Sequence, residues 1–562
     1  MTIDFFNSEK ILRLTPIIKE TKEIADEILE GNVRVFPKLA NVKVQRLSEL
    51  WEVKFETSPS TFALYVYALY PLSYLLNAYE LTEGKRYLDK AVSLTLDFLD
   101  WEEGDKKQIN KKRSKILFGD HAVSNRTQAL CYLVCCLKNE NSELPEELVT
   151  ALIRNGEYLA DARNYSHYNH GLMMDLALLG LLNTLEGLEI KHPPHLKESL
   201  MARLQHSITR DLTEDGVHIE NSPGYHFWML GFLGRITPAL QSVDKQLYVK
   251  VQEVLKRATE YADYITRPDG SVPAIGDTHA CVKYKPSKGL ESKFFRNSNE
   301  VIFRSLGDEV WAHFSSGYKT HVHKHCDNGS FNLFFDGYDV FTDPGFINYE
   351  DEGDSKEIKK AFSHNTVSPV GKEQKIEVVD IHKVDQLYSS NLSPSRIVGY
   401  SSSCSVESAV ARICDYGDLF IERQVSWFKP NVFLIEDKIS DQKFQFEQFF
   451  QISPGLSIEL EKESVKLYAG NGRLIATIVS SSKNHLEIEK ALFSKGFNEK
   501  GETKRLKIKS SEQKLKTLIV LHGKDESGGD EHFTAEYISQ FDSSSFYNEI
   551  VEVDCAYKYK NA

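Results

Sequence analysis

The sequence predicts a multidomain α+β protein, with a helical N-terminal domain followed by a C-terminal antiparallel β-sandwich. Its 562 residues are too many for one ordinary hydrophobic core. Up to about residue 290, apolar residues recur with helical spacing, whereas beyond residue 300 they alternate with a period of two. The predicted domains are therefore residues 1–290 and 300–562, with the boundary inside 285–300.

Helices dominate the first predicted domain. Its apolar segments place one face of each helix toward a core, and short polar, glycine or proline links separate them. Helices are predicted at 60–81, 86–101, 125–139, 145–163, 171–185, 195–212, 224–240 and 247–265. No strict sequence repeat is visible, so an ordinary solenoid is not indicated.

Strands dominate the second predicted domain. Alternating segments occur at 309–317, 330–343, 408–428, 431–440, 473–482 and 516–523. The pairs Asp336-Gly337 and Gly417-Asp418 are turn signals inside two of these segments. Serial strands joined by tight turns predict antiparallel sheets packed as a sandwich.

Composition limits the classes of partner. The chain is 41% hydrophobic and 27% charged, and its formal net charge is −13. This acidity argues against a nucleic-acid partner, although a cleft of an acidic protein can still attract an anionic substrate. No apolar run reaches the length of a membrane span, so no membrane partner is predicted. A homo-oligomer is left open.

The N-terminus and the cysteines bear on localisation. No basic stretch followed by an apolar core marks a signal peptide. The eight cysteines form no Cys-x-x-Cys pair and no evident disulfide framework, which suits a reducing compartment. We therefore predict a cytoplasmic or non-classically exported bacterial protein, or a periplasmic one if a leader has been removed.

The most informative segment is 321–331, with histidines at alternate positions. In an extended chain, His321, His323 and His325 would point to one face. Imidazole titrates near neutrality and is the commonest protein metal ligand. The segment therefore predicts proton transfer, metal ligation or both.

Three further groups could complete a site. Asn169 and His170 precede an apolar helix, where an ordinary helix start is an equally good interpretation. Tyr225 opens another helix, where simple packing is the commoner role, but a tyrosine can also serve as a general acid or base. His325, Asp343 and His364 make a plausible zinc set, although the spacing alone is a weak signal.

Taken together, these segments resemble the heparinase II/III-like polysaccharide lyases. Seven short motifs occur in the family's order: Asp120-His121 with Arg126, Asn169-His170, Glu220 to His226, Gly276-Asp277, His323 to Phe331, Asp343 to Gly345, and His364 to Thr366. The resemblance implies an incomplete (α/α) toroid followed by an antiparallel β-sandwich. It also implies a uronic-acid-containing anionic polysaccharide as substrate, either a glycosaminoglycan or a bacterial exopolysaccharide.

The resemblance implies a role for each matching position. Asn169 and His170 would neutralise the uronate carboxylate, while Tyr225 and His323 would be the catalytic tyrosine and histidine. The implied ligands of a structural zinc are His325, Asp343 and His364. The candidate substrate contacts are His121, Arg126, Glu220, His226 and the additional His321. Met173 departs from the charged residue that some members carry near the Asn-His pair.

The implied reaction is β-elimination, in which a base removes the C5 proton of the uronate and an acid protonates the departing C4 oxygen. Tyr225 could do both if the two groups lie on one face of the sugar. If they lie on opposite faces, His323 could be the base and Tyr225 the acid.

Two other classes of function compete with the lyase: a hydrolase, which could be of two kinds, and a non-catalytic binding protein. A toroid glycosidase could use two of the carboxylates Asp120, Glu220 and Asp277. A zinc hydrolase could instead activate a water on the set His325, Asp343 and His364. The third alternative is a non-catalytic carbohydrate-binding or capsule-assembly protein that keeps the fold.

Overall fold

The chain divides into two units that are described separately below. The computed structural model describes residues 13–36, 39–104, 111–279, 282–378, 393–461, 464–481 and 485–523. The described parts of Met1–Asp211 and Arg235–Tyr248 make the first unit, and those of Leu212–Gly234 and Val249–Ala562 make the second. The predicted domain limits of 1–290 and 300–562 stay a prediction, and residues beyond 523 lie outside the described residues.

The N-terminal region is helical, as predicted. Its helices are α1 (Thr21–Leu29), α2 (Pro59–Tyr67), α3 (Tyr70–Thr82), α4 (Lys85–Glu103), α5 (Lys111–Leu117), α6 (Asp120–Asn139), α7 (Glu146–Ala160), α8 (Tyr168–Gly187), α9 (Pro194–Arg210), α10 (Pro223–Val243) and α11 (Lys245–Ile265). A 3-10 helix (Leu47–Glu52) and the two-stranded pair β1 (Asn32–Val33) and β2 (Val42–Lys43) accompany them. None of the helices in the described ranges is long and apolar enough to cross a membrane.

The single helix predicted at 60–81 is in fact two helices. Leu69 has a left-handed backbone with a φ of 55°, which a continuous helix of L-residues cannot contain. Pro71 occupies the first turn of α3, where its missing N–H has no intrahelical partner to lose. The chain therefore ends α2 and restarts at Tyr70.

Helix α6 is the most deeply buried helix of the first unit. Every residue from Ala122 to Leu137 is buried, and α6 contacts α3, α7 and α8. A helix that is buried all round belongs to the interior of a large domain. The N-terminus of α6 carries Asp120 and His121, so the packing of this helix fixes the position of both side chains.

Two antiparallel sheets lie in the second unit, together with parts of α10 and α11. An eight-stranded sheet has the order β14-β15-β16-β19-β12-β11-β10-β9, and the other has the order β17-β18-β13-β7-β6-β5-β4-β3 with β8 pairing β13. The strands are β3 (Lys293–Phe295), β4 (Glu300–Arg304), β5 (Val310–Ser315), β6 (Ser330–Phe335), β7 (Tyr338–Phe341), β8 (Val367–Pro369), β9 (Arg396–Ser402), β10 (Val406–Tyr416), β11 (Leu419–Phe428), β12 (Val432–Ile439), β13 (Phe446–Ile452), β14 (Leu456–Leu460), β15 (Ser464–Ala469), β16 (Leu474–Ser480), β17 (His485–Gly496), β18 (Glu499–Ser510) and β19 (Lys514–Leu521). A short helix, α12 (Gly353–Glu357), follows β7.

One hydrophobic core joins the two sheets. Phe314 and Phe331 from one sheet pack in the same buried cluster as Trp427 and Phe433 from the other. The predicted turns at Asp336-Gly337 and Gly417-Asp418 separate β6 from β7 and β10 from β11. A helical N-terminal region followed by antiparallel sheets confirms the predicted fold class.

Candidate active site

A tyrosine and a histidine are stacked in the second unit. Tyr225 lies in the first turn of α10, and its ring is 3.8 Å from the ring of His323, centroid to centroid, at an angle of 16°. The Tyr225 hydroxyl is 2.9 Å from the hydroxyl of Tyr349. Burial, followed by the neighbouring Tyr349, raises the pKa of Tyr225 well above its ordinary value. The structure thus brings together the two residues predicted to transfer protons.

Two carboxylates face the two nitrogens of His323. Nδ1 lies 2.6 Å from Oδ2 of Asp277, and Nε2 lies 3.3 Å from an oxygen of Glu220. Burial alone would lower the pKa of His323, but the hydrogen bonds to these carboxylates raise it to about 9. Hydrogen bonds from His323 and His325 hold the pKa of Asp277 well below its usual range in spite of burial. His323 is therefore a proton-bearing group in an anionic setting.

The chain around His323 forms a turn, which corrects the extended conformation expected from the sequence. Lys324 N donates to His321 O at 3.2 Å, and His323 has a φ of 56°. The amide of Asn221 donates to the carbonyls of Thr320 and Val322 at 2.7 and 2.8 Å. A positive φ is unfavourable for a side chain of this size, and such strain is tolerated where the surroundings hold it.

Asp277 explains how His323 and His325 still come together. Its Oδ1 lies 2.9 Å from Nε2 of His325, while Oδ2 binds His323. His321 is partly exposed and has no role assigned by these contacts. The three histidines therefore do not form one cluster, because the turn, and not strand alternation, sets their directions.

His325, Asp343 and His364 form a group that could hold a metal ion. One ligand atom from each lies within 4.8 Å of the others, and all three residues are buried. Nδ1 of His325 and Nε2 of His364 are buried without a hydrogen-bond partner. Buried nitrogens without partners are costly, whereas a metal ion would satisfy them. The donor set of two imidazoles and one carboxylate suits zinc.

The predicted carboxylate-neutralising pair lies in the first unit. Asn169 and His170 are in the first turn of α8, and Nδ1 of His170 is 3.1 Å from Oδ2 of Asp120. The ring of His121 packs edge-on against His170, with 5.4 Å between centroids. Burial alone would raise the pKa of Asp120, but the hydrogen bond and charge of His170, together with hydrogen bonds from Ser166 and the His121 amide, lower it. The His170 side chain is 40% exposed and so remains open to a ligand.

A tight contact positions the start of α8. A side chain at Gly171 would place its Cβ 2.2 Å from Ser166 O and 2.7 Å from the ring of Tyr165. Glycine is therefore required for Tyr165 to pack against the helix. The Tyr165 hydroxyl donates to Asp175, one turn further along α8, at 2.9 Å.

Three predicted substrate contacts lie in the interior. Arg126 donates to Tyr67 O at 2.9 Å and pairs with Glu102. Nε2 of His226 donates to Ala258 O at 2.9 Å, and Glu220 is fully buried against His323. Because these side chains are buried, they would influence a substrate only through the residues that they hold.

Comparisons with known proteins bear on the family and the fold of the chain. The model of the heparinase II/III N-terminus matches residues 70–301, and the heparinase II/III-like C-terminal model matches residues 287–532. The two models together cover most of the chain. The chain belongs to the heparinase II/III family. It is accordingly a polysaccharide lyase. No match was found among the curated proteins.

Solved structures share the fold of this heparinase II/III family member. A structure of heparinase III superposes with a TM-score of 0.73 at 14% identity, covering 93% of this chain and 88% of the other. Heparan sulfate lyase HepC from Pedobacter heparinus gives a TM-score of 0.64 at 17% identity, with 93% and 86% covered. A heparinase III gene product designated BT4657 gives a TM-score of 0.67 at 17% identity, again with 93% and 86% covered.

The competing hydrolase interpretations fit this family member poorly. Glu220 and Asp277 both bind His323, so neither is a free carboxylate facing a glycosidic bond. A catalytic zinc needs an open coordination position that substrate can reach. The group His325, Asp343 and His364 is at most 3% exposed, which suits a structural ion.

Sequence reasoning missed two features of this lyase. Tyr349, which contacts Tyr225, lies in a loop after β7, and an exposed loop tyrosine carries no motif that would mark it. Asp277 was visible in a Gly-Asp motif, but nothing in the spacing revealed that it joins two histidines 46 and 48 residues away.

Proposed function

We propose that the protein cleaves 4-linked uronate residues of a glycosaminoglycan-type polysaccharide by β-elimination. The observation that carries this proposal is the stacked pair of Tyr225 and His323, with Asp277 and Glu220 behind the histidine. A phenol and an imidazole side by side supply the proton-transfer groups that elimination requires. The fold shared with heparan sulfate lyase HepC supports a glycosaminoglycan as the substrate class.

The elimination breaks the C5–H and C4–O bonds and forms a C4=C5 double bond. The C5 proton passes to a base, the C4 oxygen leaves with a proton, and no water is consumed. An ionised carboxylate beside C5 resists proton removal, because negative charge accumulates on the same group. Asn169 and His170 are proposed to bind that carboxylate and stabilise the charge that develops. Asp120, 3.1 Å from His170 Nδ1, would fix the orientation of the His170 ring.

Proton transfer is proposed to fall to Tyr225 and His323. Both nitrogens of His323 face carboxylates, whereas the Tyr225 hydroxyl contacts only another hydroxyl among the hydrogen bonds described. When the C5 proton and the C4 oxygen lie on one face of the sugar, Tyr225 would have to enter the step as a phenolate, take the C5 proton to become a phenol, and then give that proton to the C4 oxygen. For substrates with the two on opposite faces, His323 would be the base only after passing its second proton to the neighbouring Glu220, and Tyr225 would be the acid.

We also propose that His325, Asp343 and His364 hold a zinc ion. The ion would supply a rigid cross-link between three segments of the second unit. All proton transfers would remain with the protein's own side chains. Elemental analysis of the purified protein should find about one zinc per chain. His325→Ala should lose that zinc and lower the melting temperature. Unchanged folding and activity in His325→Ala would argue against the site.

The decisive experiment measures the product. Elimination creates a 4,5-unsaturated uronate that absorbs in the ultraviolet, whereas hydrolysis creates no such chromophore. The panel should include heparan sulfate, heparin, hyaluronan, chondroitin and dermatan sulfates, alginate and bacterial exopolysaccharides. We expect at least one to give the chromophore, and Tyr225→Phe to reduce its rate by about 10²–10⁴-fold.

Tyr468→Phe is the matched control, because it removes a hydroxyl from strand β15 of the same unit. It should leave the rate within twofold of the parent protein. Formation of reducing ends without the chromophore would support hydrolysis and contradict the proposal.

A further inference from the structure

His325, Asp343 and His364 are called the metal group below. The buried carboxylate of Asp277 connects this metal group to His323. Its Oδ2 accepts from His323 Nδ1 at 2.6 Å, and its Oδ1 accepts from His325 Nε2 at 2.9 Å. We propose that Asp277 is a positioning residue. Through Asp277, a metal ion held by His325 and its partners would also fix the orientation of the His323 ring. This inference rests on the proposed function, because it assumes that His323 takes part in the elimination.

The hydrogen bonds determine which nitrogen of each histidine carries a proton. An ionised carboxylate only accepts, so His323 must present Nδ1–H and His325 must present Nε2–H to Asp277. His325 then offers the lone pair of Nδ1. That nitrogen is the one that is buried without a hydrogen-bond partner. Asp277 thus leaves His325 in the tautomer that can bind a metal ion through Nδ1.

The backbone joins the same two regions. Gly276 has a φ of 55°, and a Cβ there would lie 2.5 Å from Asn221 O and 2.9 Å from His323 O. The loop that carries Asp277 therefore lies directly against the turn that carries His323. Because His323 has a positive φ, its ring direction depends on such contacts. Asp277 supplies the contact that reaches the metal group as well.

Asp277→Asn separates the two functions of the carboxylate. An amide has one accepting oxygen and one donating nitrogen, so it can accept from only one of the two histidines. We expect the dissociation constant for zinc, measured by competition with a chromogenic chelator, to rise about 10–100-fold. At saturating zinc, kcat should fall by about 10–100-fold while KM stays within twofold.

Asp415→Asn is the matched control. Asp415 is a buried carboxylate of the same unit that accepts from Asn328 and Ser395, and burial raises its pKa, so an amide resembles its neutral form. Zinc affinity and kcat should both remain within twofold of the parent protein. If Asp277→Asn does not fold, Asp277→Glu provides a second variant, which keeps the charge and moves the oxygens by one methylene. It should lose zinc affinity and kcat as well, but by smaller factors.

Zinc affinity and kcat are expected to fall together in Asp277→Asn. Weakened zinc binding with a normal kcat, or a reduced kcat with normal zinc binding, would show that Asp277 does not link the two. A parent protein that binds no zinc would also overturn the proposal. If no polysaccharide gives the chromophore, the proposed function fails on its own, since zinc affinity is measured without substrate.

Discussion

Each of the two units places a carboxylate beside Nδ1 of a histidine, but the two histidines differ in exposure and in the number of neighbouring carboxylates. In the first unit, His170 meets Asp120 and its side chain is 40% exposed. In the second unit, His323 meets Asp277 and Glu220 and is only 13% exposed. The first arrangement leaves a polar ring open to a ligand, whereas the second encloses the ring between two carboxylates.

This difference suits two different tasks. An exposed imidazole beside a single carboxylate can bind an anionic group and still release it with the product. An enclosed imidazole between two carboxylates is held in one orientation, and the stacked ring of Tyr225 shields it further. The number of carboxylates and the burial of the ring, more than the residue type, thus distinguish a binding histidine from a proton-transfer histidine.

His323→Gln should have the largest effect on this comparison. We expect kcat to fall about 10²–10⁴-fold, because the side chain that shares proton transfer with Tyr225 is lost. The melting temperature should fall too, since Asp277 and Glu220 lose a buried partner. Steady-state kinetics by ultraviolet absorbance and a thermal scan measure the two effects.

The matched control for that variant is His313→Gln. His313 is another buried histidine of the second unit, and its Nε2 lies 3.0 Å from Glu300. Its loss should destabilise the protein without lowering kcat. If both variants lowered kcat equally at a temperature where both are folded, the special role of His323 would be excluded.

Asp120→Asn should have an intermediate effect. The amide removes the charge that supports His170, so binding of the uronate carboxylate should weaken while proton transfer at Tyr225 is untouched. We expect kcat/KM to fall about 10–100-fold, which corresponds to losing one hydrogen bond to a charged group. Asp161→Asn, which alters a partly exposed carboxylate paired with Arg163 in the same unit, should leave kcat/KM unchanged. A normal kcat/KM for Asp120→Asn would show that His170 needs no carboxylate.

Tyr349→Phe should have a smaller effect. It removes a hydroxyl 2.9 Å from that of Tyr225 on a side chain that is 50% exposed. One hydrogen bond contributes about 0.5–1.5 kcal/mol, so kcat should fall about 2–10-fold with KM unchanged. Tyr338→Phe, on strand β7, provides the control. A loss as large as that of Tyr225→Phe would instead make Tyr349 a principal proton-transfer group.

The fold class could be predicted from the sequence because it depends on local periodicity. The strands around Asp336-Gly337 and Gly417-Asp418 lie where period two and turn residues place them. The break at Leu69 was not predictable, since a left-handed residue inside an apolar run leaves the helical period intact on both sides. Periodicity identifies elements better than it identifies their interruptions.

The candidate site was only partly predictable for a related reason. Short motifs identified Tyr225, His323 and the metal group, and the structure brings the first two together. The contacts of Asp277 and Tyr349 join positions 46 and 124 residues apart, and no local pattern encodes such pairings. The expected alternation of His321, His323 and His325 was wrong because hydrogen bonds from Asn221 hold the segment in a turn.

Asp175→Asn should have the smallest effect on catalysis, and it tests whether the support of α8 depends on pH. Burial raises the pKa of Asp175 to about 7, although Arg203 and Tyr165 favour its charged form. In an unfolded chain an aspartate has a pKa of about 3.9, so the folded protein binds this proton more tightly. Stability from this group is therefore greatest below about pH 4 and declines as the pH rises to about 7. In Asp175→Asn that part of the decline should disappear from melting temperatures measured between pH 4 and 8, while kcat stays within twofold. An unchanged slope would show that Asp175 is already charged throughout, and that Tyr165 holds the start of α8 through an ionised partner.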